Sequence, residues 1–380
     1  MSRWHAKLIA AAVCASISGC SLLQPPPDRS STLKDPTPAW AEVPAEPVTE
    51  HRWQYSDATQ QVFGTTQVLR TRDTDTISDI ARSYDLGYDE IRQANPEVDP
   101  WLPGADTKVF LPTRFVLPDA RRTGIVLNIA AKRLYVHEPA TDGDGFVLAT
   151  YPIGIGRVGW ATPTGEATVI DKATDPSWYV PASVRAEHRA AGDPLPAVVP
   201  PGPDNPLGRH VLKLDMPGYL LHGTNEPYGV GMRVSHGCVR LYPEDIEVLF
   251  ASTDRGADVT IVNQPFVAGR EGDALWIAAY PILEDDERST AQLLASAIEY
   301  LTERYGAQLD ESMIAAVSAL IERADGMPMK LEPAALVADT AKPVRNIAQL
   351  PEDAPSRAEV SEMLEALMQE ASDVSDAGSP

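Results

Sequence analysis

Between Thr123 and Val262, proline and glycine cut the chain into short runs, and that punctuation constrains the fold more than any other feature. Gly124–Ile129 alternates apolar and polar residues, and Lys132–Val136 follows across a tight turn as a pairing partner. Phe146–Ile153, Glu166–Asp171, His210–Leu214, Tyr219–His222 and Asp258–Val262 are further candidate strands, and Pro and Gly interrupt all of them. The 34 prolines argue for linkers and irregular loops rather than a helical bundle. One helix is predicted over Pro243–Ala251. Pro243 suits a first turn, Glu244 and Asp245 sit at its positive end, and Ile246, Leu249 and Phe250 share a face. Residues 121–263 are therefore predicted to form a mainly β domain, a sandwich or barrel of short strands. The Pro-rich stretch Asp175–Arg209 reads as a long loop that flanks or lids a cleft.

The flanks differ in character. Arg3 and Lys7 precede an apolar run, Leu8–Ile17, which is too short to span a bilayer as a helix. Ile17-Ser18-Gly19-Cys20 follows and resembles a bacterial lipobox. That resemblance implies a signal peptide over 1–19, a diacylglycerol on Cys20 and, with Ser21 next, an outer-membrane address in the periplasm of a Gram-negative bacterium. Residues 20–62 are rich in Pro, Ser, Thr, Asp and Glu and read as a flexible tether. Residues 63–115 form a small α+β unit: Asp75 caps a helix with the stripe Ile77, Ile80, Ala81, a second helix runs over Tyr88–Asn95, and Lys108–Leu111 is a strand. The order strand-helix-helix-strand, with DTISDIARSYDLGYDEIRQANP, resembles the LysM module, which implies glycan binding; Thr74 stands where that module usually has glycine. Residues 264–330 add a strand at Ala274–Tyr280 and helices carrying Leu293, Leu294, Ile298 and Leu301, then Ile314, Val317, Leu320 and Ile321. Residues 331–380 are acidic and are predicted to be a disordered tail.

Charge and cysteine count narrow the function. The chain carries 54 acidic against 32 basic residues, a formal charge of −22. Nucleic-acid affinity comes largely from basic groups displacing counterions, so DNA and RNA are excluded as default partners. Of three cysteines, Cys14 leaves with the signal and Cys20 carries lipid, so Cys238 is the one free thiol of the mature chain. A lone thiol in an oxidising compartment is either buried and inert or present for its chemistry.

The chemistry-bearing segments are Tyr219-Leu-Leu-His222-Gly223-Thr224 and Ser235-His236-Gly237-Cys238-Val239-Arg240. Nucleophilic catalysis by cysteine needs a thiolate, and a nearby imidazole accepts the proton and holds the ion pair. A third group, side chain or backbone carbonyl, should orient that imidazole. The amides of Gly237 and Cys238 are candidate oxyanion donors. Arg240, two residues on, would share a strand face with Cys238 and offer its fork to a carboxylate. Tyr219 and Thr224 are candidate substrate contacts beside it. Three readings compete. His222, His236 and Cys238 could ligate zinc, though the His-x-Cys spacing is awkward and no fourth ligand is suggested. Cys238 could be a buried structural thiol. Gly154-x-Gly156-x-x-Gly159 fits a dinucleotide fingerprint by letter, but Trp160-Ala-Thr-Pro163 cannot open the helix that fingerprint needs.

His222-Gly-Thr followed by Ser235-His-Gly-Cys238-Val-Arg, with Pro152-Ile-Gly-Ile-Gly156 and Thr162-Pro-Thr-Gly165 upstream, resembles the L,D-transpeptidase catalytic domain, also called the YkuD domain. The resemblance covers about residues 121–263. It implies Cys238 as nucleophile and His222 as proton donor and acceptor, with the Gly223 carbonyl orienting His222. Ser235, His236, Gly237 and Arg240 would line the pocket. Spacing alone does not decide which histidine is the base; the family pattern favours His222. The implied reaction is acyl transfer on peptidoglycan tetrapeptide stems with release of D-Ala, without metal or cofactor. The acceptor stays open: a stem amine giving a 3→3 cross-link, a lysine of an outer-membrane lipoprotein, or water. The order of LysM-like unit and catalytic domain looks most like the branch that attaches murein lipoprotein. The rival classes are a cysteine endopeptidase of the cell wall and a non-enzymatic, lipid-anchored wall-binding protein.

Overall fold

The computed structural model describes residues 46, 48–140, 145–332 and 335–348. The expected signal, the lipidation site Cys20, most of the tether and the tail beyond 348 lie outside them. From the N-terminus, β1 (Arg52–Tyr55) and β2 (Val62–Gly64) lead into β3 (Gln67–Arg70), α1 (Ile77–Ser83), α2 (Tyr88–Ala94) and β4 (Lys108–Leu111). Next come β5 (Arg114–Val116), β6 (Gly124–Asn128), β7 (Arg133–Pro139), β8 (Phe146–Pro152), β9 (Ile155–Gly156), β10 (Gly165–Thr174) and β11 (Trp178–Tyr179). After α3 (Ala182–Ala190) follow β12 (Val198–Val199), β13 (His210–Leu214), β14 (Leu220–His222), β15 (Arg233–Ser235) and β16 (Val239–Arg240). Then α4 (Pro243–Ser252), β17 (Asp258–Val262), β18 (Phe266–Glu271) and β19 (Ala274–Ala279) precede α5 (Thr290–Tyr305) and α6 (Glu311–Arg323). The described chain closes with β20 (Met329–Glu332), β21 (Ala335–Ala338) and β22 (Lys342–Pro343).

Nine strands form one mixed sheet in the order β1-β8-β7-β6-β17-β10-β13-β14-β16. Only the β6–β17 and β14–β16 pairs in it are parallel. Alternation buries Ile125, Leu127, Leu134, Val169, Leu212, Leu221, Val259 and Ile261 on one face. Helix α4 lays Ile246 and Leu249 into the same core. Each such aliphatic side chain contributes about 1.5–3 kcal/mol by leaving water. The architecture is mainly β, as the punctuated strands required.

Three expectations are corrected. The tether was expected to reach residue 62, yet Arg52–Tyr55 pairs antiparallel with β8 and forms the sheet edge. The acidic tail was expected from 331, yet β20 and β21 extend the β18–β19 hairpin and β22 pairs with β3. Val344 and Ala348 are buried there beside Leu69, Ile80 and Tyr84. Helix α1 is capped by Thr76, not Asp75: the Thr76 hydroxyl accepts from the Asp79 amide, and the Asp79 carboxylate answers in a capping box. Asp75 instead accepts from the Arg72 amide at 2.6 Å and from its guanidinium.

The small helical unit shares its core with the large sheet, since Ile77, Ile80 and Ile91 pack in one cluster with Val126, Tyr135, Leu148 and Tyr228. Its α1–α2 turn lies against the loop before β15. The Tyr88 amide donates to the Val230 carbonyl at 3.2 Å. A Cβ on Gly231 would stand 2.3 Å from the Gly87 Cα, so only glycine fits this backbone approach. Helices α5 and α6 bury Leu293, Ala297, Leu301, Met313, Val317, Leu320 and Ile321 against β18 and β19. Ile298 and Ile314, expected inward, are half-buried, because Ala297 and Met313 take the central positions.

Candidate active site

His222 ends β14, a strand held on both sides. Val211 of β13 is registered with His222 antiparallel, and Arg240 of β16 is registered with it in parallel. The Leu241 amide donates to the His222 carbonyl at 2.9 Å, and the Gly223 amide donates to the His210 carbonyl at 3.2 Å. Registered residues of a parallel pair point to one face, and residues two apart on a strand return to it. His222 and Arg240 therefore share a face, and Cys238 directly precedes β16. The Arg240 charge lowers both the His222 ring and the Cys238 thiol.

The protonation of this group follows from its partners. His222 is 3% exposed, and its Nδ1 lies 2.6 Å from the Gly223 carbonyl. A carbonyl only accepts, so Nδ1 carries the hydrogen and Nε2 keeps its lone pair in the neutral ring. Burial, and then the Arg240 charge, push the ring down to about 3, against the Gly223 hydrogen bond. Burial also pushes the Cys238 thiol up, opposed by a hydrogen bond from the Leu220 amide and by Arg240. Cys238 is half-buried, and its Sγ lies 3.5 Å from the Gly218 carbonyl, which accepts from the thiol.

The Ser235–Cys238 turn is fixed by polar contacts that the motif anticipates. The buried Ser235 hydroxyl accepts from the Gly237 amide at 3.2 Å and donates to the Cys238 carbonyl. The Gly237 amide, one of the two candidate oxyanion donors, is thereby engaged within the turn. Gly237 has φ +100, and a Cβ there would meet the Tyr219 ring at 3.0 Å. Tyr219 thus packs on the turn beside the thiol. The Gly237 carbonyl accepts from Thr162 Oγ1 at 2.9 Å, and Thr162 Oγ1 accepts from the Gly156 amide at 2.9 Å. Gly154 and Arg240 exchange backbone hydrogen bonds at 2.9 Å, so the Gly-x-Gly run supports the strand that follows Cys238. Thr224 is 5% exposed and its Oγ1 accepts from the Glu226 amide at 2.9 Å; it shapes the loop after His222. Glu226 in turn faces Arg240 at 3.8 Å.

His236 stands apart from the His222–Cys238 pair in its partners. Its Nε2 lies 2.9 Å from Arg157 Nη2 and 3.2 Å from Glu187 Oε2, and the Trp160 ring meets it edge-on at 4.9 Å. Burial, then Arg157, push it down to about 4. Partial burial raises the Glu187 carboxyl, but Arg157 and His236 hold it below the usual range. Arg157, Trp160 and Glu187 were not singled out in the sequence. Arg157 directly follows the Gly154-Ile-Gly156 run, and Ala182–Ala190 is a Gly- and Pro-free island after Pro181; those were the available signals. The zinc reading finds no support in this division: His222 and His236 serve different clusters, and no group of three or more His, Cys, Asp or Glu suited to a metal occurs among the described residues.

Residues 122–261 match the YkuD family, the L,D-transpeptidase catalytic domain. The chain is 38% identical over 295 residues to the "Probable L,D-transpeptidase YcfS" of Escherichia coli K12, covering 75% of this chain and 89% of that protein. It is 41% identical over 216 residues to the "Probable L,D-transpeptidase YbiS" of the same strain, covering 56% and 69%. With the "Probable L,D-transpeptidase ErfK/SrfK" it shares 32% over 275 residues, covering 70% and 85%.

Proposed function

Since this chain belongs to the YkuD family of L,D-transpeptidases, we propose that Cys238 is its nucleophile and His222 the group that moves the proton. The enzyme is a peptidoglycan transpeptidase. The observation that carries the residue assignment is the His222 Nδ1 contact with the Gly223 carbonyl. It leaves Nε2 as the acceptor, on a ring registered with Arg240, two residues from Cys238.

In the acylation step Cys238 Sγ attacks the carbonyl of the third stem residue, diaminopimelate, as its proton passes to His222 Nε2. The developing oxyanion is met by the Cys238 amide. The C–N bond to the terminal D-Ala then breaks, and His222 returns the proton to the leaving amine. An acceptor amine attacks the thioester and gives its proton to His222, which passes it to the departing sulfur. Arg240, on the same face, receives a substrate carboxylate. We assign the amine to a lysine of an outer-membrane lipoprotein, following the resemblance of the domain order, with a stem amine or water as the other acceptors. Lipid on Cys20 and an outer-membrane, periplasmic address complete this reading. No described helix is long and apolar enough to cross a membrane.

The unit over 63–115 fits a LysM-like glycan contact that is rigidly joined to the catalytic sheet, since the two share one apolar cluster. Incubating a Cys20→Ser chain with disaccharide-tetrapeptide, with and without an amine-bearing acceptor peptide, tests the whole reading. Release of D-Ala with an acceptor-linked tripeptide product supports it. A tripeptide alone in the presence of acceptor identifies a carboxypeptidase. An unchanged substrate overturns the enzymatic assignment.

A further inference from the structure

We propose that Glu187 of α3 is a positioning residue for acyl transfer, holding the turn that presents Cys238 through Arg157 and His236. The proposal rests on the assignment of Cys238 as nucleophile. The Pro-rich segment 175–209 was expected to be a loop, yet it contains α3, whose Val184 is 1% exposed. Glu187, one turn further along, reaches back to the catalytic turn. Its two carboxylate oxygens meet different partners: Oε1 takes Arg157 Nη2, and Oε2 lies 3.2 Å from His236 Nε2. Arg157 Nη2 is itself 2.9 Å from that same ring nitrogen, so the three groups close a triangle.

Both partners are built into the nucleophile's support. The Arg157 amide donates to the Ser235 carbonyl at 3.0 Å, and His236 is followed directly by Gly237 and Cys238. The Arg157 side chain is 6% exposed, and a guanidinium so enclosed needs a counter-charge. Glu187 is the carboxylate that meets it. Without that charge Arg157 has every reason to turn toward another acceptor, and the His236 ring loses a neighbour on Nε2. The Trp160 and His188 rings then remain as its aromatic neighbours. Displacement of the turn carrying Cys238 by a fraction of an ångström is enough to slow the chemistry, because attack requires a near-ideal approach.

The test compares D-Ala release by wild type, Glu187→Gln, Glu187→Ala and Cys238→Ala, together with the ¹⁵N resonances of the His236 ring. Glu187→Gln keeps the shape and a hydrogen bond while removing the charge, so it stays informative where the alanine variant unfolds. The expected result is a kcat reduced by up to about 100-fold in Glu187→Ala and less in Glu187→Gln. The KM for the donor should change little, and the His236 resonances should shift in both variants. Wild-type kcat in both variants overturns the proposal, as does a loss of kcat with unmoved His236 resonances. Failure of wild type itself to release D-Ala overturns the catalytic assignment instead, and the ring resonances still report whether Glu187 governs His236.

Discussion

Two regions of this molecule bury ionisable side chains and use them in opposite ways. At the junction between the α1–α2 unit and the large sheet, charges are closed against each other. Arg133, 1% exposed, forks onto both oxygens of Glu90 at 2.8 and 3.0 Å, and it donates to the Asp85 carbonyl at 2.8 Å. Lys132 meets Asp89 at 3.2 Å, and Arg82 forks onto Glu244. At the β14–β16 edge, by contrast, burial disfavours the charged forms of a half-buried thiol and a buried imidazole, and backbone carbonyls and amides position them. Closed ion pairs make a rigid seam, whereas neutral groups held by the main chain stay ready to exchange a proton. The helical unit is therefore a fixed wall of the enzyme rather than a hanging arm.

Substitutions can break each side of this contrast. The largest effect is expected for His222→Gln, which keeps the size but removes the proton carrier. D-Ala release should fall by about 10²–10⁴-fold with the unfolding midpoint nearly unchanged. An active His222→Gln enzyme would move the role to His236. Glu90→Gln strands the buried Arg133 charge and should cost about 3–5 kcal/mol in urea unfolding. A neutral outcome would mean the seam holds through its apolar cluster alone. Gly231→Ala forces a Cβ into the Gly87 backbone at a positive φ and should destabilise by about 1–3 kcal/mol. Restoration of wild-type stability at this position by any L-residue would refute the close approach.

A further prediction concerns a carboxyl pair in the seam. Burial, then Glu244, push Asp245 up to about 7, and burial, then Asp245, raise Asp85 well above its usual range. The folded state thus binds a proton more tightly than the unfolded chain, whose aspartate titrates near 3.9. Stability is fully present below that value and declines as pH rises toward 7. Asp245→Asn should flatten this slope, leaving the part that the burial of Asp85 contributes, and should exceed wild type at pH 8 in thermal unfolding. A variant less stable at pH 8 would contradict the assignment.

Much of this was legible where side-chain alternation was clear. Lys108–Leu111, His210–Leu214 and Asp258–Val262 occupy the strands that their patterns predicted, residue for residue. Arg52–Tyr55 was hidden because a four-residue edge strand just after the Pro-rich tether is too short for its alternation to stand out, and its partner Phe146–Ala149 lies far along the chain. Helix α3 was hidden by prolines on both sides. At the site, His222 and Cys238 announced themselves through local motifs. Glu187 could not, since its partners lie 30 and 49 positions away and only the folded chain joins them. Thr224, read from the sequence as a substrate contact, accepts from the Glu226 amide in the loop after His222.

Intact-protein mass spectrometry during turnover of a tetrapeptide donor tests the central claim most directly. Wild type should gain the mass of the donor less D-Ala, located by peptide mapping on Cys238, and Cys238→Ala should gain nothing. D-Ala release by the Cys238→Ala protein, or an adduct mapped to any other residue, would contradict the account.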